Sequence, residues 1–315
     1  MAESNNPEQL PTQPPLTTWA EPEDYGGCKL TFMRLEARNA CFSTYPGSKG
    51  IYPGDEAVYR YTRFGKTPVS LAVAGLHGCS SLVVVSQLGA WVNHMWEVPD
   101  FRHLHGSFPE PTEEKQSAIF KKAILDPLWH GSGLKFPLGL PALAKNWDPS
   151  QPAAVSHLLS KDANPHVFLF APYARVDSPD DSNFAAEFPV GLRMRYVECN
   201  RKIAAEVRKI FGQDVPFQVV PYSPRVCTQQ AFEALTGSEF YKVKYEHKIL
   251  EYLEDGPFES NRGKVLVQYR PASGPQGKAA WRVWFEGHDP HPGDQQEWEP
   301  MGSFQIAGSE GMSTK

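Results

Sequence analysis

The chain has 315 residues and a formal net charge of −5, which argues against a nucleic-acid-binding protein because such proteins usually carry a basic surface. It contains no apolar run of the length that crosses a bilayer, about eighteen residues or more, so we expect no membrane span. Its first residues lack the basic start and the apolar core of a cleaved secretory signal, which favours a cytoplasmic protein and leaves export without a cleaved signal open.

The two ends of the chain differ in composition from the rest. Residues 1–26 are rich in Pro, Glu, Gln and Asn and have few large apolar side chains, so they cannot offset the entropy lost on ordering. We predict that they form a disordered tail, and that residues 301–315 form a second, flexible tail. The apolar signal persists between them without a fixed repeat, which predicts one globular domain over residues 27–300.

Strands are predicted for the first third of that domain. Short segments rich in β-branched and aromatic residues are bounded there by Gly, Pro and Asn, a pattern typical of strands joined by turns. The predicted strands cover residues 29–37, 56–64, 69–75, 80–86 and 90–97.

A helix is predicted next, beginning after Thr112. The Thr112 hydroxyl is suited to capping the amides of the first turn, and the acidic Glu113 and Glu114 suit the positive end of a helix. Apolar residues then recur at helical spacing until Pro127, which we expect to end the helix. The apolar face indicates that this helix packs on a sheet.

The second half of the chain begins with a strand, helix, strand succession. Residues 166–174 and 215–223 are apolar runs, and the amphipathic segment 199–212 lies between them. This order predicts a crossover connection that joins two parallel strands.

The last predicted elements complete the fold class. Residues 264–270 and 279–287 flank a Gly-rich turn and predict an antiparallel hairpin, and a helix is predicted around residues 244–253. Together the elements predict an α/β fold in which a mixed, β-sandwich-like central sheet has flanking helices.

Residues 76–97, LHGCSSLVVVSQLGAWVNHMWE, contain a candidate nucleophile and a candidate base. A thiol becomes an effective nucleophile when it loses its proton, and a nearby imidazole can take that proton and return it to a leaving amine. If a tight Leu-Gly turn joins the two predicted strands, His94 faces Val83 and lies on the order of 13 Å from Cys79. An ideal ladder therefore does not bring the two side chains together.

A bend before the first of these two strands would bring them closer, and Gly75 and Gly78 permit one. The same bend would direct the backbone amides of Cys79 and Ser80 at one point. We therefore predict that these two amides form an oxyanion hole. A register slip of one residue would move His94 to the other face of the sheet.

A structural role is the alternative interpretation of this segment. Free cysteine is among the most buried residue types, and a histidine on a strand usually makes structural hydrogen bonds. The alternative hypothesis is a non-catalytic interaction protein of the same fold in which Cys79 is a buried, structural residue.

The tetrapeptide LHGC that ends at Cys79, followed by a β-run and by His94 fifteen residues after the cysteine, resembles the Leu-Ser-Gly-Cys signature of bacterial glutamine deamidases. This family includes the catalytic domain of cytotoxic necrotizing factor, the Burkholderia lethal factor and the chemoreceptor deamidase CheD. The resemblance covers about residues 76–97, and His77 stands where the family has serine.

The resemblance implies a role for each residue. Cys79 would attack the side-chain amide of a protein glutamine, ammonia would leave, and water would hydrolyse the thioester to glutamate, with His94 as the base. The family's third element orients the imidazole and corresponds to Val73, through its carbonyl, with Thr67 as a substitute. His77 is a further candidate base.

The resemblance also implies the partner, a protein substrate that presents a glutamine, and it implies no cofactor. Transglutamination or proteolysis would use the same pair of residues. Trp91, Trp96 and Phe101 lie near this segment in the sequence and are candidates for an apolar rim that contacts the substrate.

Metal binding is not predicted. The five cysteines are scattered and show no CxxC spacing, which disfavours a zinc site or a disulfide scaffold. His103 and His105, and likewise His288 and His291, are pairs without a third nearby ligand. We interpret both pairs as polar loop residues.

Overall fold

In the computed structural model, the residues described are 19–40, 58–76, 78–97, 101, 112–131, 138–146, 157–173, 194–222, 263–273, 277–290 and 292–299. The described helices are α1 (Lys29–Asn39), α2 (Glu113–Phe120), α3 (Asp126–His130), α4 (Leu140–Leu143) and α5 (Val197–Phe211), and a π-helical turn (Lys121–Leu125) joins α2 to α3. Within these described ranges, no helix has both the length and the apolar character needed to cross a bilayer.

The strands form two sheets. They are β1 (Val58–Arg63), β2 (Val69–Val73), β3 (Ser81–Val85), β4 (Gly89–His94), β5 (His166–Pro172), β6 (Phe217–Tyr222), β7 (Val265–Arg270), β8 (Ala279–Phe285) and β9 (Gln295–Trp298). The first sheet has the order β1-β4-β3-β5-β6, and the second has the order β2-β7-β8-β9. β5 and β6 run parallel, whereas the other described pairs are antiparallel, so the first sheet is mixed.

Side-chain alternation along the strands separates the core into layers. On β3, Val83 packs in a cluster shared by both sheets, whereas Leu82 packs in a cluster with α2, α3 and α5. The outer face of the second sheet is covered by α1, whose Phe32 packs on Leu266 and Trp284. The order of layers is helices, first sheet, second sheet, helix. The predicted α/β fold with sheets and flanking helices is confirmed.

Residues 19–25 pack on the outer face of the second sheet, although we predicted them as part of the disordered tail. Arg282 lies over the Trp19 ring at 4.0 Å from its centroid, and it donates hydrogen bonds to Glu21 and to the Ala20 carbonyl, each at 2.5 Å. A few well-placed aromatic and charged contacts therefore order a segment whose composition alone indicated disorder. The packed region begins earlier than predicted.

Residues 29–37 form most of α1 and not the predicted strand. Phe32, Met33 and Ala37 recur at helical spacing and are buried against the second sheet. Most residues of this segment, such as Leu, Met, Arg, Glu and Ala, also favour helix. The strand prediction for this segment gave too much weight to its aromatic and β-branched residues, Phe32 and Thr31.

The helix that begins after Thr112 continues through Pro127 and ends at His130, later than predicted. Proline lacks an N–H, and its ring clashes with the carbonyl four residues earlier in a regular α-helix. The π-helical turn directly before α3 is wider than an α-helical turn, so it accommodates the proline.

The other strand predictions that fall on described residues are confirmed. The predicted crossover is also confirmed, because α5 lies between the parallel strands β5 and β6 in the chain. The late hairpin corresponds to β7 and β8. The helix predicted around residues 244–253 and the tail predicted for residues 301–315 lie outside the described residues.

Replacing Thr112 with alanine should lower the free energy of unfolding by about 1 kcal/mol. The Thr112 hydroxyl accepts a hydrogen bond from the Lys115 amide at 3.3 Å and so satisfies a donor of the first turn of α2. Thr112→Ser keeps this hydroxyl and should remain close to wild type in urea denaturation. Equal losses in the two variants would contradict the capping role.

Candidate functional site

The hairpin of β3 and β4 has a different register from the predicted one. Val83 faces Val92, whereas the prediction placed it opposite His94. The pairing is shifted by two residues, which leaves every side chain on its predicted face because side chains alternate with a period of two. His94 therefore lies nearer to the Cys79 end of β3 than predicted.

Ser86 explains this register. Its amide donates to the Gly89 carbonyl at 2.8 Å, and its hydroxyl accepts from the amides of Leu88 at 3.0 Å and Gly89 at 3.2 Å. The same hydroxyl donates to the Leu158 carbonyl at 2.5 Å. The turn consequently lies at Gln87 and Leu88, so the predicted turn at Leu88 and Gly89 is wrong by one residue.

A backbone bridge beyond β3 places Cys79. The Ser80 amide donates to the Met95 carbonyl at 3.0 Å, and the Met95 amide donates to the Ser80 carbonyl at 2.8 Å. The bridge keeps the register of the hairpin, so Cys79 lies opposite Trp96 and has His94 as its diagonal neighbour on the same face. Diagonal neighbours are about 7–8 Å apart, within reach of long side chains.

The two candidate catalytic side chains differ in exposure. Cys79 is partly exposed at the margin of the core between the sheets, whereas His94 is 0% exposed. The His94 imidazole packs against the Trp96 ring, with 4.1 Å between the ring centroids. A reactant would approach the thiol from solvent, and the imidazole would act on it from the protein interior.

Next to His94, side chains replace backbone hydrogen bonds of the hairpin. The Ser81 hydroxyl donates to the Asn93 carbonyl at 2.6 Å, and the Asn93 side-chain oxygen accepts from the Leu82 amide at 2.6 Å. The ladder between β3 and β4 is therefore interrupted beside the histidine, and Asn93 fixes the backbone that carries it.

The chain bends before β3 at two glycines, as predicted. Gly75 has a φ of 84° and Gly78 a φ of 143°, values that favour glycine. Gly78 also lies against the Glu97 side chain, where an added Cβ would come within 2.2 Å of Oε2. Glycine is therefore required at position 78 for both the backbone conformation and the space beside Glu97.

Glu97 contacts Cys79 and is itself held by two residues. Its amide donates to the Cys79 Sγ at 3.5 Å. Its Oε1 accepts hydrogen bonds from the Arg195 guanidinium and the Tyr196 hydroxyl, each at 2.6 Å. The exposed fractions of the Arg195 and Glu97 side chains are 6% and 14%, so a largely buried ion pair connects the Cys79 region to the chain just before α5.

Tyr222, at the end of β6, binds the backbone on both sides of the Gly78–Cys79 peptide bond. Its hydroxyl accepts from the Gly78 amide at 3.0 Å and donates to the Cys79 carbonyl at 2.5 Å. Burial raises the pKa of Tyr222 well above its usual value, and the neighbouring acidic groups, above all Cys79, raise it further. The hydroxyl therefore remains protonated and able to donate.

The predicted oxyanion hole does not form as expected. The Ser80 amide donates to the Met95 carbonyl, and Ser80 is 0% exposed, so this amide is not directed at an approaching substrate. The physical reason is that backbone pairing with the second strand of the hairpin extends past the end of β3. The role of the Cys79 amide stays a prediction.

The remaining candidates lie at three different places. Val73 is the last residue of β2, in the second sheet, and is buried in the core between the sheets. Thr67 is exposed in the turn after β1, whereas His94 pairs with Val58 at the other end of that strand. The predicted substitute role of Thr67 beside His94 is therefore wrong. His77 lies outside the described residues.

The predicted aromatic rim is also wrong. Trp91, Trp96 and Phe101 are all buried, with exposed fractions of 1%, 6% and 5%. Trp91 and Phe101 belong to the core cluster beneath the helices, on the other side of the first sheet from Trp96. These side chains stabilise the core and do not form a surface for a substrate.

In the described part of the chain, no three His, Cys, Asp or Glu side chains form a group suited to a metal ion. His288 is exposed in the turn after β8. His103, His105 and His291 lie outside the described residues.

Tyr222, Glu97 and Arg195 were not found by sequence reasoning. Tyr222 lies 143 residues from Cys79 along the chain, and Arg195 lies 98 residues from Glu97. The apolar run VPFQVVPYS predicts a strand, but no pattern in it marks the tyrosine as part of a site.

Comparison of the chain with protein-family models, curated proteins and solved structures finds no match.

Proposed function

We propose that the chain is a cysteine-dependent hydrolase that acts on the side-chain amide of a protein glutamine. The observation that carries this proposal is the register of β3 and β4, which makes His94 the diagonal neighbour of a partly exposed Cys79 on one face of one sheet. The same two residues, at the same spacing, carry the resemblance to the glutamine deamidases.

The reaction has two stages. His94 takes the proton of the Cys79 thiol, and the sulfur forms a bond with the carbonyl carbon of the glutamine side chain. When the tetrahedral intermediate collapses, the C–N bond breaks and ammonia leaves with the proton that His94 returns. His94 then deprotonates a water molecule that attacks the thioester, and the products are glutamate and the free thiol.

The Glu97 amide supports anionic chemistry at this sulfur. It donates to the Cys79 Sγ at 3.5 Å, and hydrogen bonds from amides to charged acceptors are stronger than those to neutral ones. This amide donates to the nucleophile, whereas that of Ser80 donates to the Met95 carbonyl. Arg195 and Tyr196 hold Glu97 in place because both donate hydrogen bonds to its carboxylate.

Iodoacetamide labelling tests whether Cys79 is activated. Cys28 is first replaced by serine, because it is exposed and the Thr31 hydroxyl lowers the pKa of its thiol. In that background we expect Cys79 to react faster than Cys199, whose pKa is raised by burial. The His94→Ala variant should slow the labelling of Cys79 by about tenfold.

Ammonia release from casein and from a blocked glutaminyl-glycine peptide tests the reaction itself. We expect Cys79→Ala and His94→Ala to lower the rate by at least about 100-fold. Cys199→Ala, which removes a partly buried thiol of α5, is the matched control and should keep the wild-type rate. Ammonia release that survives Cys79→Ala would contradict the proposal.

The same measurements address the alternative, an interaction protein of this fold in which Cys79 is structural. Equal, slow labelling of the cysteines together with no ammonia release from either substrate would favour that alternative. Faster labelling of Cys79 that depends on His94 would exclude it.

A further inference from the structure

The described backbone ladder between β3 and β5 ends at Ser81, before Cys79. In an antiparallel sheet, alternate residues of a strand form hydrogen bonds with one neighbouring strand or the other. Ser80 forms its bonds on the β4 side, and Ser81 pairs with Phe170 of β5. Two residues after Phe170, the Pro172 carbonyl accepts from the Arg195 amide at 2.9 Å, so a separate segment pairs with β5 there.

The Cys79 carbonyl therefore lies beyond the described ladder pairs. A carbonyl that loses its ladder donor away from water costs free energy unless another donor replaces it. The Tyr222 hydroxyl is that donor, at 2.5 Å. Because the same hydroxyl accepts from the Gly78 amide at 3.0 Å, one side chain fixes both ends of the bend.

We propose that Tyr222 is a positioning residue for the Cys79 nucleophile, because its hydroxyl binds the backbone of Gly78 and Cys79 where the ladder of β3 ends. This inference rests on the proposed function, since that function assigns the nucleophile. Tyr222 acts through the backbone of Cys79. Without its hydroxyl the Gly78–Cys79 bend relaxes, and the sulfur leaves its place beside the Glu97 amide.

The fold makes Tyr222 a rigid support. It is 2% exposed, it pairs with Pro172 across the parallel strands β5 and β6, and its carbonyl accepts from the Tyr173 amide at 2.7 Å. Its raised pKa keeps the hydroxyl protonated over the range in which thiols ionise. The support therefore persists at any pH at which Cys79 would act as a nucleophile.

The Tyr222→Phe variant removes only the hydroxyl. In the Cys28→Ser background we expect the rate constant for alkylation of Cys79 by iodoacetamide to fall about tenfold. The kcat for glutamine hydrolysis should fall by a similar factor with KM unchanged. Tyr269→Phe is the matched control, because the Tyr269 hydroxyl also donates to a glycine carbonyl, that of Gly65 at 2.9 Å, within the same core cluster. It should leave the alkylation rate unchanged.

Denaturant unfolding of Tyr222→Phe separates positioning from a general loss of packing. The variant should lose alkylation rate while it remains folded under the labelling conditions. A folded Tyr222→Phe variant that alkylates at the wild-type rate would overturn the inference.

Alkylation requires no amide substrate, so the two proposals fail separately. If the wild-type chain releases no ammonia, the proposed function is wrong, and the positioning role is judged by the alkylation rates. If ammonia is released through Cys79 while Tyr222→Phe leaves both the alkylation rate and kcat unchanged, only the positioning role is wrong.

Discussion

The Gly78→Ala variant is expected to lose about 3 kcal/mol of unfolding free energy and to slow the alkylation of Cys79. Its φ of 143° is strained for any residue with a Cβ. The added Cβ would also lie 2.2 Å from Oε2 of Glu97. That carboxylate can move aside only by weakening its hydrogen bonds with Arg195 and Tyr196, so the collision is not relieved freely.

Two other glycines serve as controls for this variant. Gly212 has a φ of 95° but open space around its Cβ position, and Gly65 has open space and no positive φ. Gly212→Ala should therefore show the backbone strain alone, and Gly65→Ala should remain close to wild type in denaturant unfolding. Equal losses for Gly78→Ala and Gly212→Ala would mean that the Glu97 carboxylate is displaced without cost.

The strands around the candidate site could be predicted because their residues strongly favour β-structure. The run from Ser81 to Val85 contains three successive β-branched valines after an apolar leucine, and it is buried on both faces between the second sheet and the helices. The segment that became α1 has no such bias, because it mixes helix formers with Thr31 and Phe32. Its burial against the second sheet, which decided its structure, is a tertiary effect.

The candidate pair of Cys79 and His94 was visible in the sequence, but its geometry was not. The register depends on the Ser86 hydroxyl, whose partner, the Leu158 carbonyl, lies 72 residues away in the chain. A local reading of turn propensity favours the Leu-Gly pair and has no access to that contact. The resulting two-residue shift changes His94 from a distant residue to a diagonal neighbour of Cys79.

The residues that support Cys79 also come from distant parts of the chain. Tyr222 reaches the Cys79 backbone because the parallel pairing of β5 and β6 places the end of β6 near the bend before β3. Glu97 likewise follows the hairpin directly, but its partner Arg195 is supplied by a separate segment.

The Arg195→Met variant should lower the free energy of unfolding by about 3 kcal/mol, because it removes a cationic partner from the Glu97 carboxylate, whose side chain is 14% exposed. Methionine keeps much of the side-chain volume, so the loss reports the missing charge more than a cavity. The Tyr196 hydroxyl remains as a donor to the carboxylate, but it supplies no compensating charge. Denaturant unfolding measures the loss, and alkylation of Cys79 should slow in parallel because the Glu97 amide is no longer held beside the sulfur.

Arg201→Met is the matched control for this variant. Arg201 forms an ion pair with Glu198 on α5 at 2.6 Å, but their side chains are 51% and 63% exposed, so its loss should cost less than about 1 kcal/mol. Replacing Glu97 by Gln in the Arg195→Met background should recover part of the stability, since the buried charge is then removed. If Arg195→Met costs no more than Arg201→Met, the buried pair does not hold Glu97, and another group must fix the amide that faces Cys79.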